Sequence, residues 1–135
     1  MIWAIDNTVS RASGGRLSVP NGSRGTLRTL FLHTIGRTTG RPRRNGLYSV
    51  EDGANLVVVA SNAGEDVDPA WWCNLQAQPD ADVEIRSAMR PVRARLATPA
   101  EAGPLYERFA AAIPTYAEYR ERASRPIPVV ILEPR

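Results

Sequence analysis

The fold of this chain is decided by the stretch RRNGLYSVEDGANLVVVA, residues 43–60. Residues 43–51 are typical of a β-strand, and Asp52-Gly53 is a strong signal for a two-residue hairpin turn. Residues 56–60 follow as a continuous apolar run, which is typical of a strand buried on both faces. This stretch therefore predicts an antiparallel hairpin in a β-rich domain.

Four more strands are predicted from apolar runs and from apolar residues that alternate with polar ones. They cover residues 29–35, 83–86, 92–96 and 127–132. Residues 87–90 are expected to join the middle two as a hairpin, with Val92, Ala94 and Leu96 on one buried face. Because the strands come mostly as hairpins, we expect a largely antiparallel sheet and not a Rossmann fold.

Three or four short helices are predicted beside the strands. Thr98 with Glu101 forms a capping box at a helix start, and Thr115 with Glu118 is a second capping-box candidate. Residues 2–13 carry apolar side chains at helical spacing. Six strands with such flanking helices fit a small barrel, an α+β fold that is mainly β.

Length, charge and cysteine content limit the class of protein. A chain of 135 residues suits one domain, with residues 1–15 as an N-terminal helix and residues 29–134 as the barrel. One cysteine allows no internal disulfide, and no secretory signal is recognisable, so a cytoplasmic location is expected. The net charge is +3 and all 17 basic residues are arginine. Arginine binds phosphate or carboxylate at two points, which favours an anionic small-molecule partner.

Several catalytic patterns are absent from the sequence. No G-x-G-x-x-G follows a strand, and no G-x-S-x-G accompanies the single histidine, His33. His33 is expected to be packed or hydrogen-bonded. Zinc needs several histidine or cysteine ligands, and only His33 and Cys73 are present, so no metal site is expected. If the protein is an enzyme, a bound cofactor is expected to carry the chemistry.

The first candidate site is the arginine turn, GRTTGRPRR at residues 36–44. Four arginines lie within eight residues there, and the glycines allow a ligand to approach the backbone closely. Guanidinium groups and backbone amides together suit an anion. A solvated basic turn without a ligand explains the same pattern when it is taken alone.

The second candidate site joins ASNAG at residues 60–64 to DPAWWCNL at residues 68–75. A helix is expected over residues 69–78, with Asp68 as its N-cap and Pro69 as its first residue. The first amides of a helix attract anions, and a tryptophan beside them would wall a flat ring. One of Trp71 and Trp72 is expected in the core, because adjacent helix residues face different directions.

The third candidate site consists of Tyr116 and Tyr119, which lie three positions apart on one face of a short helix. Their phenol groups can donate hydrogen bonds to a substrate oxygen. An aromatic edge that packs on the barrel accounts for the same spacing.

Together these motifs resemble the deazaflavin-dependent nitroreductase family of actinobacterial flavin and deazaflavin oxidoreductases. The similar segments are GRTTGRPRRNGLY at 36–48, VVVASNAGEDVDPAWWCNLQAQPDADVEI at 57–85 and IPTYAEYRERASRPIPVVILEP at 113–134. The resemblance implies a split β-barrel. It also implies coenzyme F420, a 5-deazaflavin with a phospholactyl-oligoglutamate tail, as the hydride donor.

The resemblance assigns roles to residues of this chain. The positions that match the family's cofactor site are Arg37, Thr38, Arg43, Arg44, Asn45, Ala60, Ser61, Asn62, Ala63, Gly64, Pro69, Trp71 and Asn74. The arginine turn is expected at the anionic tail, residues 61–64 at the deazaflavin headgroup, and Trp71 and Asn74 at the phosphate and ribityl region. The positions that match the substrate pocket are Tyr48, Ile113, Tyr116 and Tyr119. Thr38 stands where a lysine is common, and Ile113 where the best-known nitroreductase has tyrosine, so nitroimidazole activation is not implied.

The implied reaction is hydride transfer from reduced F420 to an electron-poor small molecule: a quinone, an enone or a nitroaromatic. Negative charge then develops on the acceptor's oxygen, and one well-placed hydrogen bond in a dry site lowers the barrier by about 3–4 kcal/mol. The predicted donors are Tyr116, Tyr119 and Ser61, with solvent as a source of the proton.

Other functions fit parts of the same sequence. An FMN-dependent split-barrel oxidoreductase would share the fold, although the arginine turn favours the longer tail of F420. A non-catalytic protein that stores F420 or carries a lipid would bind without turnover. A single-strand nucleic-acid module is disfavoured, because the acidic loop at residues 65–68 would repel its ligand. The remaining expectations are weak membrane-surface association of residues 2–13 and a homodimer through an open barrel edge.

Overall fold

The computed structural model of the protein describes residues 27–135. The predicted helix at residues 2–13, and its expected membrane contact, lie outside the described residues. Six strands form a closed barrel in the order β1-β2-β3-β6-β5-β4, and every neighbouring pair is antiparallel. The strands are β1 (Arg28–Ile35), β2 (Pro42–Asp52), β3 (Asn55–Val59), β4 (Asp80–Ile85), β5 (Ala88–Leu96) and β6 (Val129–Pro134). The helices are α1 (Ala70–Ala77), α2 (Pro99–Ala112) and α3 (Thr115–Arg122). The predicted barrel with flanking helices is confirmed.

Two layers of apolar side chains hold the barrel together. The inner layer fills the barrel and includes Leu30, Leu32, Leu47, Leu56, Val58, Val83, Val92, Val130 and Leu132. The outer layer lies between the barrel wall and α2 and includes Val50, Val57, Val59, Leu105, Tyr106, Phe109 and Ile131. Because strand residues alternate between faces, β3 contributes to both layers, which confirms its predicted burial on both faces.

The hairpin turns differ slightly from their predicted positions. The β2–β3 ladder ends at Asp52↔Asn55, so the turn falls one residue later than predicted, on residues 53–54. The β4–β5 ladder ends at Ile85↔Ala88, so residues 86–87 alone form that turn and the predicted connection at 87–90 is wrong. Arg86 and Ser87 both have positive φ, as a two-residue type I′ turn requires.

Two apolar strand ends also depart from the prediction. Leu96, the last residue of β5, is 55% exposed, because the buried face of that strand stops at Ala94. β6 begins two residues later than predicted, since Pro128 has no N–H to donate to a ladder. The carbonyl of Pro128 instead accepts a hydrogen bond from the Ala60 amide at 2.9 Å.

One of the three predicted helix caps is present. The backbone N–H of Glu101 donates to Thr98 Oγ1 at 3.2 Å, and that of Thr98 donates to Glu101 Oε1 at 2.8 Å, which confirms the capping box of α2. The predicted box at Thr115 is wrong, because Thr115 is already the first residue of α3 and Pro114 precedes it without a side-chain cap.

The predicted cap of α1 is also wrong. Pro69 precedes the helix with extended backbone, and no side chain caps its amides. The carboxylate of Asp68 accepts a hydrogen bond from Arg125 at 2.9 Å instead, so a long-range ion pair replaces the local cap.

Candidate functional site

The barrel closes between β2 and β3 only through a short ladder. Their ladder runs only from Val50↔Val57 to Asp52↔Asn55, whereas β2 pairs with β1 along its other edge back to Pro42. Among residues 27–135, no strand pairs with the β3-side edge of residues 42–49. The chain leaving β3 forms the loop of residues 60–68 instead of continuing the ladder, and the unpaired edge of residues 42–49 is called the open seam below.

Asn74 joins the arginine turn to α1. Its Oδ1 accepts hydrogen bonds from the backbone N–H of Arg37 at 3.1 Å and from Arg37 Nη1 at 3.0 Å. Its Nδ2 donates to Thr34 Oγ1 at 3.2 Å, and the side chain is buried. The two segments that the sequence singled out as anion sites therefore lie side by side. Both ends of the Asn74 amide are used within the protein, so Asn74 positions Arg37.

Arg43 lies on the same face of β2 as this junction. It is opposite Thr34 in the β1–β2 ladder, and directly opposed residues share a face. A Cβ on Gly36 would lie 2.8 Å from Thr39 Oγ1 and 3.3 Å from Arg43 Nε. A side chain at Gly36 would therefore force Thr39 to move, and the Arg43 guanidinium lies close to the backbone of the turn.

Arg44 points to the opposite face of β2. Its guanidinium lies 3.6 Å from the ring centroid of Phe31, and its Nε is 3.5 Å from Glu84 Oε1. Glu84 also bonds His33 Nε2 at 2.9 Å, which confirms that His33 is hydrogen-bonded. The structure therefore does not bring Arg44 to the junction at Asn74.

The remaining predicted cofactor residues differ in their exposure. Thr38 is exposed on the arginine turn, Asn45 is half-buried opposite Leu32, and Pro69 is buried at the start of α1. Trp71 and Trp72 are both buried in the inner layer, so the expectation that only one of them is core is wrong. Both tryptophans are buried because α1 packs on the inner layer of the barrel.

Residues 62–64 adopt an uncommon backbone conformation, the left-handed turn. Asn62, Ala63 and Gly64 have φ values of 47°, 57° and 79°. Residues other than glycine rarely adopt this left-handed region of backbone conformation. The Gly64 amide donates to Ser61 O at 2.8 Å, and the Glu65 amide donates to Asn62 O at 3.0 Å. Strain of this kind clusters at ligand sites, which fits the predicted headgroup position.

Arg125 is the residue of this site that the sequence did not indicate. Its guanidinium donates to the carbonyl oxygens of Ala60 at 3.2 Å, Ser61 at 3.0 Å and Glu65 at 3.0 Å, and to Asp68 Oδ1 at 2.9 Å. These partners lie 57 to 65 residues away in sequence, so no local pattern reveals the contact.

The predicted substrate residues come together as the tyrosine cluster, which comprises Tyr48, Ile113, Tyr116 and Tyr119. Tyr48, Ile113 and Tyr116 pack against the outer layer, and the rings of Tyr116 and Tyr119 meet edge-on with centroids 5.5 Å apart. Burial raises the pKa of the Tyr116 phenol well above its ordinary value, and neighbouring phenols add to the effect. Burial also raises the pKa of Tyr48, with a smaller effect from Tyr119. These groups are therefore hydrogen-bond donors at neutral pH.

A fourth tyrosine, Tyr106, holds the cluster in place. Its hydroxyl donates to the carbonyl oxygen of Tyr116 at 2.7 Å, and burial raises its pKa to about 12. Tyr106 thereby ties α2 to α3. Within residues 27–135, no three His, Cys, Asp or Glu side chains gather in a way that could hold a metal ion.

Comparison with known proteins decides between the alternatives that the sequence left open. The family model described as F420H2-dependent quinone reductase matches residues 6–134. The chain belongs to this family. Family membership makes the protein an F420-dependent oxidoreductase, with reduced F420 as the hydride donor, and confirms the resemblance to deazaflavin-dependent enzymes. The FMN-dependent alternative receives no support.

Individual relatives agree with this membership. An F420H2-dependent quinone reductase of Mycobacterium tuberculosis is 33% identical over 138 residues, covering 97% of this chain and 89% of the relative. The solved structure of an F420H2-dependent reductase superposes with a TM-score of 0.70 at 31% identity, covering 78% of this chain and 93% of the other. A second solved structure, described as a domain-swapped dimer, has a TM-score of 0.71 at 28% identity and covers 97% of both chains.

Proposed function

We propose that this family member reduces quinones, and by the same chemistry enones, with F420H2 bound across the split between β2 and the loop of residues 60–68. The hydrogen bonds from Arg37 to Asn74 carry the proposal. They place the arginine turn beside α1, at the open seam of the barrel. One long anionic cofactor can then contact both the arginine turn and α1. If these two segments lay far apart, a single cofactor could not reach both.

The residues present fit such a cofactor. Arg37 and Arg43 offer guanidinium groups on one side of the opening, and guanidinium groups bind phosphate and carboxylate at two points. We assign the anionic tail to these arginines with Thr38 and Asn45, and Asn74 to the positioning of Arg37. Arg44, which faces Glu84 and Phe31, is left out of this assignment.

The headgroup is assigned to the turn that follows β3. Ser61 is nearly buried, and the backbone of residues 62–64 turns back on itself without a bulky side chain at Gly64. When bound, F420H2 would supply the hydride, and solvent would supply the proton that the reduced acceptor takes up. The side chains of the protein therefore need only orient the acceptor and stabilise the charge on its oxygen.

The tyrosine cluster is assigned to the quinone or enone. Ile113 and the faces of the aromatic rings suit a flat apolar molecule, while the phenols of Tyr116 and Tyr119 are donors for its oxygen. Among residues 27–135, neither hydroxyl donates to another protein group. Ser61 remains the alternative donor from the cofactor side.

Steady-state reduction of menadione by F420H2 tests this function. We expect turnover by the wild type, and a fall in kcat of about tenfold to a hundredfold in Tyr116→Phe or Tyr119→Phe. Tyr106→Phe is the comparison variant: its hydroxyl bonds the backbone carbonyl of Tyr116 and not the substrate, so it measures the effect of loosening α3 without removing a proposed donor. Unchanged rates in both test variants would remove the tyrosines from the mechanism. A wild type that binds F420 but reduces no quinone or enone would be a non-catalytic F420 carrier, and tight binding of FMN alone would contradict the cofactor assignment.

A homodimer is part of the proposal, because the 28%-identical relative is described as a domain-swapped dimer. Light scattering of the purified protein measures its mass and decides between monomer and dimer. No helix in the described part of the chain is long and apolar enough to cross a membrane. The cytoplasmic location stays a prediction.

A further inference from the structure

The segment that follows α3 holds the loop of residues 60–68 at three points. Arg122 Nη1 donates to the carbonyl oxygen of Ala63 at 3.0 Å. The backbone N–H and the hydroxyl of Ser124 both donate to Asp66 Oδ1, at 3.1 and 2.7 Å. Arg125 makes the third and largest set of contacts. The loop is thus tied to the end of α3, the helix that carries Tyr116 and Tyr119.

Arg125 differs from the other ion-paired arginines in its burial. Its side chain is 14% exposed, whereas every other ion-paired arginine in the described range is at least 37% exposed. Exposed ion pairs contribute little to stability, because solvent screens them. A largely buried guanidinium that bonds four groups of the loop at residues 60–68, besides the neighbouring Pro126 carbonyl, instead fixes the positions of those groups.

The partners of Arg125 bracket the left-handed turn at residues 62–64. Nη2 bonds the carbonyls of Ala60 and Ser61 before the turn, and Nε bonds the carbonyl of Glu65 after it. Nη1 pairs with Asp68, which compensates the buried charge. A planar fork of donors can hold both ends of the turn at once, and a lysine ammonium cannot reproduce that geometry.

The same turn contacts α3 directly. A Cβ on Gly64 would lie 3.2 Å from Tyr119 Cα and 3.3 Å from the Tyr119 carbonyl oxygen. The backbone of the turn therefore rests on the helix that bears the tyrosine cluster. Its left-handed residues are intrinsically unfavourable, so neighbouring contacts must stabilise them.

We propose that Arg125 is a positioning residue that holds the left-handed turn at residues 62–64 in the conformation that receives the cofactor headgroup. The inference rests on the proposed function where it names the headgroup. Because Arg125 bonds the loop of residues 60–68 and no residue of the arginine turn, its loss is expected to weaken binding of the headgroup and to leave binding of the tail unchanged.

The first test uses the cofactor-free protein. We expect Arg125→Lys to speed amide hydrogen exchange at Gly64 and Glu65 by about tenfold or more, as charged hydrogen bonds to the turn are lost. Arg108→Lys is the matched control, since Arg108 donates to the carbonyl of Glu51 at 2.8 Å, far along the chain from the turn. Should the lysine variant unfold, Arg125→Gln repeats the test. Unchanged exchange at both amides in a folded variant overturns the inference.

The second test compares two ligands by fluorescence titration: F420 and the deazaflavin riboside that lacks the phosphate and tail. We expect Arg125→Lys to weaken both by the same factor, and Arg37→Ala to weaken F420 alone. If Arg125→Lys leaves the riboside affinity unchanged, the positioning role is wrong. A further outcome is that the wild type binds neither ligand while the Gly64 amide still exchanges faster in Arg125→Lys. That result would contradict the proposed function and would support the role of Arg125 in stabilising the turn.

Discussion

Replacing Gly64 by alanine perturbs the contact between the left-handed turn and α3. Gly64 has a φ of 79°, and an L-residue in the left-handed region costs roughly 1–2 kcal/mol. The new Cβ would lie 3.2 Å from Tyr119 Cα, so α3 must give way by a few tenths of an ångström, and this overpacking adds at most roughly 1–3 kcal/mol. Gly53→Ala is the matched control. Gly53 also has a positive φ, 63°, but no atom within 4 Å of an added Cβ.

Thermal unfolding of the two variants isolates the contact. We expect Gly64→Ala to have a Tm lower than that of Gly53→Ala by roughly 3–15 °C. Both variants bear the cost of a positive φ at alanine, but only in Gly64→Ala does the new Cβ press against α3. F420 affinity is expected to fall in Gly64→Ala alone. Equal Tm values together with equal F420 affinities would refute the close packing of this turn on α3.

Three further predictions concern the junction, the two faces of β2 and pH. Asn74→Ala is expected to lower the free energy of unfolding by about 1–3 kcal/mol, since buried hydrogen-bonding groups lose their partner; unchanged denaturant stability would contradict this. Arg43→Ala is expected to weaken F420 binding by about tenfold and Arg44→Ala by less than about twofold; equal losses in a fluorescence titration would refute their separation. Hydrogen bonds from Arg95 lower the pKa of Glu101 from the ordinary 4.5 to about 2. The ionised Glu101 carboxylate therefore stabilises the folded protein above pH 4.5, and this contribution is lost as the pH falls towards 2. The wild type is then expected to lose more stability over that pH interval than Glu101→Gln, and parallel pH profiles of Tm would exclude the effect.

Local patterns in the sequence predict most of the fold. The apolar run at residues 56–60 and the turn at Gly53 fix the central hairpin, because alternation and turn chemistry act between neighbours in the chain. The sequence also predicts that Arg43 and Arg44 lie on different faces of β2, since adjacent residues of a strand point to opposite sides.

Other features depend on contacts that only the folded barrel creates. Asp68 has the chemistry of an N-cap, but the guanidinium of Arg125, 57 residues away, is the partner it bonds. Trp71 and Trp72 face different directions on α1, yet both are buried because the helix packs on the inner layer of the barrel. Sequence spacing along one helix cannot reveal what surrounds that helix.

A crystal structure of the protein with F420 bound tests the central claim most directly. We expect the phosphate and glutamate tail between the guanidinium groups of Arg37 and Arg43, and the deazaflavin ring against residues 61–64. A tail that runs along the face of Arg44 and Glu84, with Arg37 contacting only Asn74, would contradict the account.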